Sequence, residues 1–157
     1  MDPTLESYLK KYNISYQIYL HKAVFTVEGS KEIKINIPAL HTKSLFLKDE
    51  NNNFYLVCIP ALKRLNVSAL RKKLSLKKLF FASPIELKEQ LNLTPGSVSL
   101  FGMIYSKSVF LIIDKELWTA KAVGFHPNIN TATIVLNHEN LERFYSSIDS
   151  RKEILAL

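Results

Sequence analysis

Three short polar stretches hold the groups able to do chemistry in this chain. Gly124-Phe125-His126-Pro127-Asn128-Ile129-Asn130-Thr131-Ala132-Thr133 places a histidine, two asparagines and two threonines between apolar runs. An imidazole can trade protons or hydrogen bonds, amides fix orientation, and Pro127 stiffens the backbone beside the ring. His41-Thr42-Lys43 precedes the apolar run Leu45–Leu47. A lysine at a strand mouth can neutralise a developing oxyanion or hold a phosphate. In Thr94-Pro95-Gly96-Ser97-Val98, Gly96 permits a turn whose successive N–H groups can face an anion or a carbonyl oxygen. The same residues also suit an ordinary type II turn. Read alone, Gly124 to Thr133 is more simply a polar turn between two strands.

Familiar reaction centres are missing. There is no cysteine pair and no His-x-x-x-His, so no zinc site is expected. The four glycines, at 29, 96, 102 and 124, make no phosphate loop, and no Gly-x-Ser-x-Gly elbow presents a nucleophilic serine. No cofactor is expected. Cys58, the single cysteine, sits in Tyr55-Leu56-Val57-Cys58-Ile59 and reads as a buried, inert thiol of a cytoplasmic protein. No apolar run reaches the roughly 18 to 20 residues of a membrane span, and the acidic N-terminus is unlike a signal peptide.

The elements that must position these stretches are legible from period and punctuation. A short amphipathic helix is expected over Thr4–Tyr12 and a strand over Ser15–Leu20. Ala23–Glu28 follows and leads into a short turn or helix around Gly29–Glu32, and Ile33–Ile37 is another strand candidate, stopped by Pro38. Ser44–Lys48 and Phe54–Ile59 flank the polar turn Asp49–Asn53, a hairpin whose second strand is apolar enough to be covered on both faces. The stretch from Lys63 to Lys78 reads as a helix, and Lys78–Ala82 as a strand. Ser83-Pro84-Ile85-Glu86 is a capping box opening a helix to about Leu91. Asn92–Ser99 is a loop; Leu100–Tyr105, Val109–Asp114 and a pair flanking Gly124–Thr133 read as strands, and Asn137 caps a last helix. Interspersed helices and strands without a strict βαβ rhythm imply a single α+β domain over 1–157, with a mixed, mostly antiparallel sheet or partial barrel.

Charge is concentrated. The chain carries 21 basic and 14 acidic residues, a net charge of +7. Lys63, Arg64, Arg71, Lys72, Lys73, Lys77 and Lys78 fall in one window without an acid, and account for the whole excess. A polyanionic partner is the reading this favours over a merely solvated helix face.

Four segments in order, His21–Glu28, Lys43–Asp49, Thr94–Ser99 and His126–Thr133, resemble the YbaK family of aminoacyl-tRNA editing domains, related to the editing domain of bacterial prolyl-tRNA synthetases. The His-Pro-x-x-Asn-Thr form is most similar to the freestanding Ala-tRNA(Pro) deacylase branch, ProXp-ala or PrdX. The resemblance implies a YbaK-like fold and hydrolysis of the ester on mischarged tRNA(Pro), most simply Ala-tRNA(Pro), with Cys-tRNA(Pro) as the alternative. It implies Lys43, Gly96, Ser97 and His126 as catalytic groups. Thr26, Ser44, Val98, Asn128, Asn130 and Thr131 would line the substrate, the basic window would meet tRNA, and prolyl-tRNA synthetase would be a further partner. Lys22, Ser44 and Leu100 depart from the family pattern, where proline, asparagine and proline are usual. A non-catalytic module binding tRNA or a synthetase stands as the competing class.

Overall fold

The computed structural model describes residues 1–23 and 36–157. Thr26 and most of the segments expected over Ala23–Glu28 and Ile33–Ile37 lie outside the described residues. Helix α1 (Pro3–Lys11) starts where Asp2 accepts the Thr4 N–H at 3.0 Å, and it buries Leu5 and Leu9. Strand β1 (Gln17–Leu20) follows, then β2 (Leu40–Asp49) and β3 (Phe54–Pro60) as the expected hairpin. Next come α2 (Val67–Lys73), β4 (Leu79–Phe81), α3 (Pro84–Leu91), a 3-10 helix (Leu100–Tyr105) and β5 (Phe110–Asp114). The chain ends with α4 (Lys115–Trp118), β6 (Ala122–Phe125), β7 (Ala132–Asn137), α5 (His138–Ser147) and β8 (Lys152–Leu155).

Among the described residues, eight strands form one mixed sheet in the order β1-β7-β6-β2-β3-β5-β8, with β4 added to β2. Four pairings are antiparallel and three parallel. β2 is the common strand: its start runs parallel to β6, its end pairs with β4, and its other edge pairs with β3 from Thr42 to Lys48 without a bulge. Both faces of the sheet are covered, as the unbroken apolar run of β3 requires. Leu56, Cys58, Leu111 and Ile113 point into the main core beneath α1, α3 and the 3-10 helix. Val57, Ile59, Phe110 and Ile112 alternate into a second core closed by Leu70 of α2.

Two expectations are corrected. The basic window is helical only over Val67–Lys73. Asn66 caps the start by accepting the Ala69 N–H at 3.0 Å. At the other end Ser75 takes the left-handed conformation (φ 57°) and the Leu76 N–H reaches Arg71 O at 3.0 Å, a Schellman-type stop that leaves Lys77 and Lys78 outside the helix. Leu100–Tyr105 is a 3-10 helix, not a strand. Ser99 accepts the Phe101 N–H on its hydroxyl (3.1 Å) and the Gly102 N–H on its carbonyl (3.0 Å), and Leu100, Phe101 and Met103 all reach the main core. A short, wholly buried apolar run carries no period to tell the two apart. The capping box at Ser83 and Glu86 is present with both of its bonds (2.9 and 3.1 Å).

Candidate active site

Lys43 stands in the first half of β2, level with Ile59 of β3. Leu45, Leu47 and Ile59 belong to the second core. The unbroken pairing therefore sets Lys43 on that face of the sheet, by strand alternation. It is half-buried, and its ammonium has no hydrogen bond or ion pair among the described residues. Ser44 turns the opposite way: its hydroxyl lies 3.3 Å from Cys58 Sγ, inside the main core. Burial pushes the Cys58 thiol up to about 12, so it stays protonated and inert at neutral pH.

Lys43 has polar neighbours on its own face. His41 is the register partner of Gly124 on the parallel strand β6. Thr42 fastens this junction by donating its hydroxyl to Gly124 O at 2.7 Å. On β7, Thr133 shares a hydrogen bond with His21 Nε2 at 2.9 Å, while His21 Nδ1 lies 2.9 Å from Lys22 O. Gly124 makes this packing possible. A Cβ there would sit 3.2 Å from the Thr133 methyl and 3.6 Å from His41 Nδ1. Gly124→Val should therefore destabilise the fold by about 1–3 kcal/mol through overpacking, read as a lowered melting temperature; an unchanged melt would refute the close approach.

His126 follows β6, two residues beyond Gly124, just as Lys43 is two residues beyond His41. The parallel register thus carries both towards the same end of the β2–β6 pair. His126 Nδ1 lies 3.3 Å from Ala132 O, which folds the loop back onto the start of β7. The glycine loop meets this loop: a Cβ on Gly96 would stand 4.0 Å from Asn130 Nδ2. Pro95-Gly96 forms the type II turn, with Gly96 at φ 88° and the Ser97 N–H donated to Thr94 O at 3.1 Å. The Ser97 amide is thereby used, whereas the Gly96 and Val98 amides bond to no described group.

Three of the remaining expected substrate contacts, Asn128, Thr131 and Val98, have identifiable neighbours of their own. Asn128 adopts φ 62° and directs Nδ2 at Asp2 Oδ2 (3.4 Å) and Phe101 O (3.5 Å), tying the loop to α1 and the 3-10 helix. Thr131 is exposed, and its carbonyl accepts the His21 N–H at 2.9 Å. Val98 packs against the main core. Thr26 lies outside the described residues. In the basic window, Lys63 is already neutralised by Asp114 (2.7 Å) and Glu116 (3.2 Å). The hydrogen bond to Asp114 raises its pKa. Arg71 donates to Leu76 O (3.1 Å) and Lys73 to Ala156 O (3.0 Å). Arg64, Lys72, Lys77 and Lys78 are exposed, with no side-chain partner among the described residues. His21, His41 and Thr133 lie here without being marked as site residues by the sequence pattern. The signal was there in Thr133, the one polar side chain buried inside the apolar run Ala132–Leu136.

Comparisons with known proteins bear on this arrangement. The family described as the aminoacyl-tRNA editing domain matches residues 21–144. The prolyl-tRNA editing protein ProX of Acetoanaerobium sticklandii is 36% identical over 138 residues, covering 86% of this chain and 84% of that protein. A prolyl-tRNA synthetase associated domain-containing protein of Danio rerio is 30% identical over 156 residues, covering 97% of this chain and 85% of its own length. The crystal structure of a protein described as a candidate trans-editing enzyme for prolyl-tRNA synthetase superposes with a TM-score of 0.75, covering 100% of this chain and 99% of that one, at 15% identity. That last likeness is one of fold.

Proposed function

The chain belongs to the aminoacyl-tRNA editing domain family, and from that premise we propose that it hydrolyses the ester of mischarged tRNA(Pro) in trans, with Ala-tRNA(Pro) as its main substrate. The observation that carries the reading is the parallel β2–β6 register, which leaves Lys43 and His126 each two residues beyond the paired His41 and Gly124, with the Gly96 turn beside Asn130. An aminoacyl ester is already activated, so a protein nucleophile is not required. A positioned water and fixed donors for the oxyanion suffice. In this scheme Lys43 and the Gly96 and Val98 amides anchor the ester end. His126 and Asn130 bound the amino-acid pocket, and the vicinal ribose hydroxyl assists the attacking water. A pocket that admits alanine and excludes proline acts as a second sieve. Arg64, Lys72, Lys77 and Lys78 contribute a salt-dependent hold on tRNA phosphates.

The experiment is deacylation of tRNA(Pro) charged in turn with alanine, cysteine, serine and proline. Alanine should be released fastest and proline only at the buffer rate. Loss of both Ala- and Cys-tRNA(Pro) at the buffer rate would sink the editing reading. One observation favours a binding module instead: the Ser44 hydroxyl is turned to Cys58 in the core, at a position where the family usually carries asparagine. Salt-dependent tRNA binding without turnover would select that module.

A further inference from the structure

Strand β4, paired only with β2 among the described residues, carries Phe81, which is 60% exposed. Phe81 pairs with Leu47 of β2, and both Leu47 and Leu79 belong to the second core. Alternation therefore sets Phe81 on the face of the sheet that also carries Lys43, about 13 Å further along β2 at roughly 3.3 Å per residue. Phe80 turns the other way, where Lys48 Nζ lies 5.4 Å from its ring centre and is bound to Glu86 at 2.8 Å.

A single exposed phenyl ring is unremarkable on its own. Its setting is what points to a ligand. Lys77 and Lys78 lead directly into β4, and Lys72 lies on α2, which packs against that strand. All three are exposed and lack an acidic side-chain partner among the described residues. Two acids border this patch: Glu50 accepts the Lys77 backbone N–H at 2.8 Å without pairing with its ammonium, and Glu86 holds Lys48. An aromatic face flanked by cations that hold no ion pair suits a stacked base with its phosphates, because every nucleobase offers a π-face and every phosphate a negative charge.

We propose that Phe81 is a stacking platform for an unpaired base in the single-stranded 3′ end of tRNA, with Lys77 and Lys78 on the adjoining phosphates, while the terminal ester reaches Lys43. The identity of the RNA rests on the editing reading, but the test does not require turnover. Binding of uncharged tRNA(Pro) to the full chain is measured by fluorescence anisotropy at fixed salt, for intact RNA and for RNA trimmed of its unpaired 3′ end.

Phe81→Ala should weaken binding of the intact RNA about ten- to a hundredfold, and leave the trimmed RNA unaffected. Phe81→Trp should restore the affinity, and its retained ring guards against a folding defect in the alanine variant. Equal affinity of Phe81→Ala and the parent for intact RNA would overturn the proposal, as would equal losses on both RNAs. Unchanged RNA binding with loss of co-purified prolyl-tRNA synthetase would also overturn it and mark a protein-docking surface instead. The expected binding pattern without deacylation would remove only the editing reading. Deacylation with an unaltered Phe81→Ala affinity would remove only this one.

Discussion

Lys43→Ala is expected to lower kcat/KM for Ala-tRNA(Pro) by about a hundredfold to a thousandfold, the usual cost of removing one preorganised oxyanion stabiliser. Uncharged tRNA should bind almost as before, since the exposed lysines proposed to meet its phosphates are untouched. The variant should also fold. The Lys43 ammonium has no described hydrogen-bond or ion-pair partner, so its loss strands no buried donor or acceptor. Most of the lost activity would then report on the chemical step. Lys43→Arg should rescue little, because the planar guanidinium does not reproduce a compact ammonium at a strand mouth. Single-turnover deacylation with parent and variants checks this; an unchanged rate in Lys43→Ala would remove Lys43 from the mechanism while leaving the activity to other groups.

The second large effect is on stability and is independent of substrate. Asp49, 2% exposed, ends β2 and organises the hairpin turn. It accepts the Tyr55 hydroxyl at 2.7 Å, the Asn51 and Asn53 backbone N–H groups at 2.8 and 2.9 Å, and the Asn53 side-chain amide at 3.1 Å. Burial works to raise its pKa, but the bonds from Tyr55, Asn53 and Asn51 outweigh it and hold the carboxyl below the ordinary range. Burial and the same carboxylate push the Tyr55 phenol upward. Asp49→Ala strands a buried phenol and two turn amides, so a loss of about 2–4 kcal/mol is expected, roughly 5–12 °C in melting temperature. Combined with Tyr55→Phe, the loss should be smaller than the sum of the single changes. A depressed carboxylate stabilises the fold fully above its unfolded value near 3.9, and that contribution disappears as pH falls through the lower folded value. Acid unfolding of the parent should therefore steepen below about pH 4, and Asp49→Asn should flatten that limb. Equal acid limbs in the two proteins would show that Asp49 is not the group responsible.

Local chemistry made much of this fold readable. The Ser83 capping box, the Asp49–Asn53 turn and the Asn137 cap each announce themselves within a few residues, and each stands where expected. Failures came where apolar residues are buried all round, as in Leu100–Tyr105, or where a charge run masks a cap and a left-handed stop, as at Asn66 and Ser75. The single turn α4 and the short strand β8 have no counterpart among the elements expected from sequence. At the candidate site the residue types were legible but their faces were not. Neighbours in sequence, Lys43 and Ser44, point to opposite sides of β2, and only the register with β3 says which side is which. Asn128 looked like its neighbour Asn130, yet it is engaged with Asp2 at the start of α1.

The strand order also bears on how the chain reaches this state. Gln17 of β1 meets Val135 of β7, so the first strand waits for a partner made more than a hundred residues later. Local hairpins such as β2–β3 can form early, but the β1–β7 edge closes over a long loop, at an entropic cost repaid only once the core is in place. Until then Ile18 and Leu20 border an unpaired edge, and even afterwards they stay 42% and 80% exposed. Assembly outward from the central hairpin is therefore expected, with β1, which leads to His21, docking among the last pieces.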